Sequence, residues 1–507
     1  MSDISALRFS RYVSSAIRGA VSLIIGVFLI GGCAGAFDAG VTTGGQQDAA
    51  GFRRALEDGD IPDPASMTVE GLLSEHSIDL GEPAENAPIF MTGAGAWNSP
   101  FEAFGPLATL ALGFGTTINA DNFQRGDLEL CLVIDVSGSM QEPISGNGRT
   151  TKFNAVRVAV DRLLAQLTPD DRVSVVTFNE QADVRTESAA GNDIAAIKGA
   201  LDRIVPEGGT DIARGMIAGY EVLRDHVTTD RLGRLILFTD AIPTVGLSQS
   251  DDFLQIMSRY AKEELGATVF GVGADFGDEL AQDIAQVRGG NYFFLGDYDR
   301  VVSVFDEEFD FLVSPIAYDV RLTVNIPFEL DVESVHGLPG VDINTHVLEL
   351  SVPTLFLSNR QGGGEIIIRL RAGALVDFDA VVPLADITYS YRTASGGRRD
   401  AMLAKVLQAN LDDSGQTAYF ENSGIQRACL LTDTAIVLRD SAADSYFGYP
   451  YYFGGNVFRA RERLSAFLDY FDELAAGLED RPSTTSRALS QERAVIVRFL
   501  DLLDRNF

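Results

Sequence analysis

Asp135, Ser137 and Ser139 stand at alternate positions in "CLVIDVSGSM", residues 131–140, where an apolar run ends in an acid. Thr210 follows in "EGGTD", and Asp240 closes "RLILFTD". Two carboxylates and three hydroxyls are hard oxygen donors, which suit Mg²⁺ or another hard divalent cation. Other chemistries fit less well. A serine nucleophile needs a base and a group to orient that base. The four histidines, His76, His226, His336 and His346, are scattered, and none lies in the neighbourhood of residues 131–140. The G-x-S-x-G elbow is missing, as is a G-x-x-x-x-G-K-S/T phosphate loop. An aspartyl phosphatase would place a second acid two residues after the first, where Ser137 stands. "GVGADFG", residues 271–277, mimics a dinucleotide fingerprint, but its spacing is wrong and it reads as a turn.

These residues need elements to hold them. From residue 127 to 314 strand and helix patterns alternate. "LELCLVID", "RVSVVTF", "RLILFTD", "ATVFGVG" and "NYFFLG" read as strands. Phe153, Val156, Val160, Leu163, Leu164 and Leu167 recur at helical spacing, as do Ile212, Met216, Gly219, Tyr220 and Leu223. Such alternation predicts an α/β fold, a doubly wound, mostly parallel sheet covered on both faces. Ligands of such sheets bind at the carboxyl ends of the strands. Asp135 and Asp240 both fall at such ends.

D-x-S-x-S after a buried strand, then the threonine, then the aspartate, resembles the von Willebrand factor type A domain. That family carries a metal-ion-dependent adhesion site on a Rossmann-like sheet. The resemblance covers about 190 residues, with the motifs in the family's order. It implies Ser137, Ser139 and Thr210 as direct ligands, with Asp135 and Asp240 acting largely through water. The implied ion is Mg²⁺, with Mn²⁺ or Ca²⁺ as substitutes. A carboxylate from a partner protein completes the shell in this family. One departure is Ala241, where many members carry glycine. "NGRTTKF", with Arg149 and Lys152, reads as the loop from the site into the first helix. Its basic residues either line the rim or are simply solvated.

The chain has 507 residues, 46% hydrophobic and 22% charged, which marks it as globular. Its net charge of −32 repels phosphate backbones and argues against nucleic acid as a partner. The same balance suits divalent cations and solubility. Arg8, Arg11 and Arg18 precede the apolar stretch from Ala20 to Ile30, which is too short to cross a bilayer comfortably. It ends in Ile30-Gly31-Gly32-Cys33, which resembles a bacterial lipoprotein lipobox with Cys33 as the acylated residue. Cys131 and Cys429 have no metal or redox spacing.

Residues 1–33 are thus expected to be a lipoprotein signal peptide and lipobox. Residues 34–126 read as a tether and N-terminal extension, with "FGPLATLALGF" packed on the next domain. The type A domain takes 127–314. Period-two alternation predicts a β-sandwich over 315–396. Residues 397–507, from "AMLAKVLQAN" on, read as a helical C-terminal region. Within it, "YFGYPYYFGG", residues 446–455, is either padding for the helices or a recognition loop. A type A domain followed by a sandwich and a helical tail is similar to secreted bacterial members, calcium-activated chloride channel regulators and inter-α-trypsin inhibitor heavy chains. The function expected is a non-enzymatic, lipid-anchored binding protein of the cell envelope that holds an acidic residue of its partner through Mg²⁺. Two alternatives stay open: a metal-stabilised scaffold whose C-terminal region makes the contacts, and a regulatory subunit of an envelope enzyme.

Overall fold

The computed structural model describes residues 40–42, 49–81, 87–118, 125–145, 150–240, 250–273, 283–296, 298–307, 309–337, 341–358, 364–373, 381–393, 396–408, 418–446, 455–480 and 486–506. Cys33, Arg149, Ala241 and most of the aromatic stretch 446–455 lie outside them.

The N-terminal segment departs from the expected tether. It forms strand β1 (Gly40–Thr42), helices α1 (Ala50–Asp58) and α2 (Val69–Ser74), and strands β2 (Ile89–Asn98) and β3 (Leu107–Thr116). "LATLALGFGT" is strand β3, paired with β2 along its whole length, from Leu107↔Asn98 to Thr116↔Ile89. Its Gly and Ala content hides the strand in the sequence, because small residues carry little β propensity. At Gly115 a methyl group would sit 2.3 Å from Phe90 Cε2 of β2, so the small residue allows the two strands' side chains to pack closely.

The next layer is the α/β domain. Its elements are β4 (Leu128–Asp135), α3 (Lys152–Leu164), β5 (Arg172–Phe178), β6 (Ala182–Ala190), α4 (Ile194–Gly199), α5 (Ile212–His226), β7 (Leu232–Thr239), α6 (Ser250–Ala261), β8 (Gly266–Val272), β9 (Gly290–Leu295), α7 (Tyr298–Glu307) and α8 (Phe309–Val313). Among the described residues the sheet order is β6-β5-β4-β7-β8-β9, parallel except for the edge strand β6. Every residue of β4 is buried, as a central strand covered on both faces requires. Leu128, Leu130, Leu132 and Ile134 pack against α3 and α7, while Cys131 and Val133 pack against α5 and α6. Helix α5 lies close on the strands because Gly219 has no side chain there. A methyl group would sit 2.3 Å from Val133 Cγ2.

Antiparallel strands follow: β10 (Pro315–Asn325), β11 (Leu330–His336), β12 (Val347–Ser358), β13 (Ile366–Ala372), β14 (Val381–Thr393) and β15 (Arg398–Gln408). The expected limit at 396 and the expected helix over "AMLAKVLQAN" are both corrected. That segment is β15, paired with β14 from Arg392↔Arg398 to Val381↔Gln408. Ala, Met, Leu and Lys favour helix locally, but burial alternates along it. Ala401, Leu403 and Lys405 turn inward while Met402, Ala404 and Val406 face out. Strand pairing overrides local preference here. β2 and β3 join these strands in one sheet system, in the order β11-β13-β3-β1-β12-β10-β14-β15 with β2 on β3. One core unites Met91, Leu110 and Leu112 with Leu322, Leu350 and Ile387.

The chain ends with the short strand β16 (Tyr419–Phe420) and helices α9 (Ser423–Tyr446), α10 (Gly455–Ala475) and α11 (Leu489–Asn506). Phe52 and Leu72, from the N-terminal segment, share a core with Leu430, Phe467, Phe471 and Phe499. Buried ion pairs lock these parts together. Glu75 binds Arg53 at 2.5 Å, and Glu492 of α11 meets the same guanidinium at 3.2 Å. Arg369 of β13 meets Asp433 of α9 at 2.5 Å, and Asp433 also accepts the Tyr470 hydroxyl at 2.6 Å.

The α/β domain meets the antiparallel strands through Arg234. Its guanidinium is buried, donates to Thr268 Oγ1 (2.8 Å) and Gly289 O (3.2 Å), and lies 5.0 Å from the centre of the Phe356 ring. Burial pushes its pKa down to about 10, since no carboxylate is among the groups that counter that shift. Beside it, the Gly289 amide donates to Thr354 Oγ1 at 2.7 Å.

Asp433→Ala strands the buried Arg369 guanidinium without its counter-ion. It is expected to destabilise this region by about 3–5 kcal/mol. Denaturant titration followed by Trp97, the chain's one tryptophan, checks this, and a loss below about 1 kcal/mol would refute it.

Candidate metal centre

The site starts with Asp135, the last residue of β4, whose carboxylate is fully buried. Its Oδ1 accepts the Ser137 amide at 2.8 Å, and its Oδ2 accepts the Thr239 hydroxyl at 2.7 Å. Burial drives the Asp135 pKa up to about 6, against the opposing hydrogen bonds of Thr239 and Ser137. After Asp135 the backbone leaves the sheet. Ser137 is extended, and Gly138–Gln141 form a single 3₁₀ turn. That turn brings Ser139 back beside Ser137, with their Oγ atoms 3.2 Å apart. Ser139 Oγ then donates to Asp240 Oδ1 at 2.9 Å.

Four of the five residues singled out in the sequence therefore form one continuous polar cluster: Asp135, Ser137, Ser139 and Asp240. Thr210 is brought alongside by main-chain bonds. The Gly138 amide donates to Gly208 O (3.0 Å), and the Glu207 amide donates to Val136 O (2.8 Å). Thr210 is half-buried, two residues beyond Gly208, and precedes Asp211, the cap of α5. Among the described residues no hydrogen bond joins Thr210 to the other four.

Three further side chains contribute: Thr239 and Glu142, not singled out in the sequence, and Lys152, expected at the rim or in solvent. Thr239 orients Asp135, and only its place before Asp240 at the end of a strand could have signalled it. Glu142 and Lys152 form the others. Lys152 is not a rim residue or a solvated one. It is 6% exposed and opens α3, and its Nζ donates to Asp240 Oδ2 (2.9 Å) and Glu142 Oε2 (3.0 Å). Burial works to lower its pKa, but the hydrogen bonds and charges of Asp240 and Glu142 outweigh that and raise it.

The cluster lies where the chain leaves β4 for β5 on one side and returns as β7 on the other. This is the switch point of the sheet, the usual crevice for a ligand. Its donors are two carboxylates and neutral hydroxyls, a set suited to a hard cation rather than to zinc. Among the described residues no three His, Cys, Asp or Glu gather into a metal-ligating group, so the hydroxyls are indispensable to any such role. No histidine is hydrogen-bonded to Ser137 or Ser139 among the described residues.

The class defined by this arrangement is an α/β domain with an oxygen-rich cleft at the carboxyl ends of β4 and β7. Residues 130–242 match the family model of the von Willebrand factor type A domain, so the α/β part of the chain carries a domain of that type. It is 23% identical over 289 residues to the uncharacterized protein YfbK of Escherichia coli (strain K12), covering 54% of this chain and 47% of that protein. It is 29% identical over 171 residues to the inter-alpha-trypsin inhibitor heavy chain H2 of Mus musculus, covering 32% of this chain and 17% of that protein. The chain spans about half the length of the first curated relatives it matches. A solved von Willebrand factor type A structure from Catenulispora acidiphila superposes with a TM-score of 0.47 at 16% identity, covering 85% of this chain and 97% of that one.

Thr239→Val removes the hydroxyl that fixes Asp135 Oδ2 and leaves the fold's apolar volume nearly unchanged. Loss of such a supporting bond is expected to weaken divalent-cation binding about 10–100-fold. Calorimetric titration with Mn²⁺ checks it, and affinity equal to that of the unaltered protein would show that Thr239 plays no part.

Proposed function

We propose that this chain is a non-catalytic binding protein whose type A domain holds a partner protein through Mg²⁺, with Mn²⁺ or Ca²⁺ as substitutes. The observation that carries this reading is the unbroken cluster Ser137–Ser139–Asp240 beside the buried Asp135, at the switch point of the sheet. Type A domains commonly bind a divalent metal and are often protein–protein interaction modules. Ser137, Ser139 and Thr210 would hold the ion, and Asp135 and Asp240 would neutralise it. The half-buried side of the cleft, at Ser139 and Thr210, is where an aspartate or glutamate of the partner would enter. The ion would polarise and fix that incoming carboxylate.

The test is retention of a partner by residues 34–507 on a support, with Mg²⁺ or with EDTA. Mg²⁺-dependent retention that Asp135→Ala abolishes is expected. If EDTA instead lowers the melting temperature and leaves retention intact, the metal serves stability and the contacts lie elsewhere, as in a scaffold.

Lipid anchoring through Cys33 belongs to the same proposal and places the protein in the cell envelope. No described helix is long and apolar enough to cross a membrane. Cys33→Ser is expected to move the expressed protein from the detergent-rich to the aqueous phase of a Triton X-114 partition. Unchanged partitioning would exclude the anchor.

A further inference from the structure

Lys152 is hard to explain as a structural residue. It is the first residue of α3, where the helix dipole disfavours a cation. It is also nearly buried, which costs a lone ammonium dearly. Yet its position is built with care. Its amide donates to Glu142 O at 2.9 Å, so the loop that leaves the site folds back on itself. Its stem passes Gly273 at the end of β8. There φ is +106°, and a methyl group would come within 3.0 Å of Lys152 Cε. The glycine of "GVGADFG" that looked like part of a nucleotide fingerprint thus makes room for this lysine.

The ammonium ends between Asp240 Oδ2 (2.9 Å) and Glu142 Oε2 (3.0 Å), and the Ser139 hydroxyl takes Asp240 Oδ1. Both oxygens of the second site carboxylate are therefore engaged from within the chain. Ser139 keeps lone pairs for a cation while it donates to Asp240. Lys152 has no lone pair to offer and only competes.

We propose that Lys152 is a tethered counter-ion of the metal site. It neutralises Asp240 when no divalent ion is bound, and it lowers the site's affinity for that ion. The proposal rests on the metal-binding reading above. It adds that the affinity is set by this chain's own lysine. A site built this way stays assembled without metal and exchanges its ion readily, so a change in free divalent cation can regulate it.

The experiment is calorimetric titration of residues 34–507 with Mn²⁺ alone, together with melting curves in EDTA. Four proteins are compared: the unaltered chain, Lys152→Met, Lys152→Gln and a charge control. The glutamine keeps a donor for Asp240 without the charge, so it carries the test should Lys152→Met fold poorly. Lys198→Met, from the exposed Lys198–Asp161 pair, controls for net charge. Removing a fixed unit charge that shares a carboxylate with the ion is expected to tighten Mn²⁺ binding on the order of tenfold. Both Lys152 variants are also expected to melt lower than the unaltered protein in EDTA and to recover with Mn²⁺, while Lys198→Met changes neither. If the unaltered protein binds Mn²⁺ and the Lys152 variants bind it equally or more weakly, the counter-ion role is overturned and the metal site stands. If none of them binds Mn²⁺ up to millimolar concentration, the metal reading falls and this inference falls with it.

Discussion

A carboxylate without water must be satisfied by the protein, and Asp135 is such a carboxylate. β4 is buried from end to end, so the acid that closes it enters a place where charge is expensive. Two donors meet it, one from the turn that follows it at Ser137 and one from the neighbouring strand at Thr239. The first forces the backbone to turn, which brings Ser139 back toward Ser137. The second ties the ends of β4 and β7 together, which sets Asp240 beside Ser139. The polar cluster is thus a consequence of solvating one buried acid, and a hard cation would use the same oxygens.

β7 carries this constraint through the molecule. Thr239 stands at its carboxyl end, and Arg234 stands five residues earlier. At about 3.3 Å per residue the two are roughly 17 Å apart along a single strand. Arg234 fixes the other end of that strand against Thr268, Gly289 and the ring of Phe356 from β12. The candidate site and the seam to the antiparallel strands are therefore opposite ends of one rigid, buried element. N- and C-terminal segments complete the rest of the molecule. β2 and β3 complete the antiparallel system, and α1 and α2 complete the helical core.

The α/β domain was legible because its signals are strong and local. β4 and β7 are continuous apolar runs that end in acids, and the helices between them keep a regular spacing. Of the residues singled out in the sequence, Asp135, Ser137, Ser139 and Asp240 come together as one hydrogen-bonded cluster, and main-chain bonds bring Thr210 alongside. Lys152 was misread, since sequence alone does not show that a lysine in a polar loop turns inward to an acid 88 residues away. β15 was misread because its helix-forming residues adopt the conformation that β14 imposes. β2 and β3 were missed because Gly and Ala carry little strand signal, although the two strands pair with each other along their whole length. β6 was missed for the opposite reason. As an edge strand it is polar and mostly solvated, so alternation is weak there.

Charge gives the remaining constraint on function. A protein of net charge −32 repels acidic partners at long range, and it does so more strongly as salt is removed. An acidic side chain can then be bound only where the local field is offset within a few ångströms. The cleft at β4 and β7 is suited to that. Its two acids are shielded by the fold rather than displayed, Lys152 already offsets one of them, and neutral hydroxyls occupy the more open side. A divalent ion placed among them would offset the local carboxylates, leaving the site near neutral on an otherwise negative surface. Under the proposed reading, a net-acidic partner would then have to be recognised by contacts at the rim, because the net charge of −32 repels it at a distance.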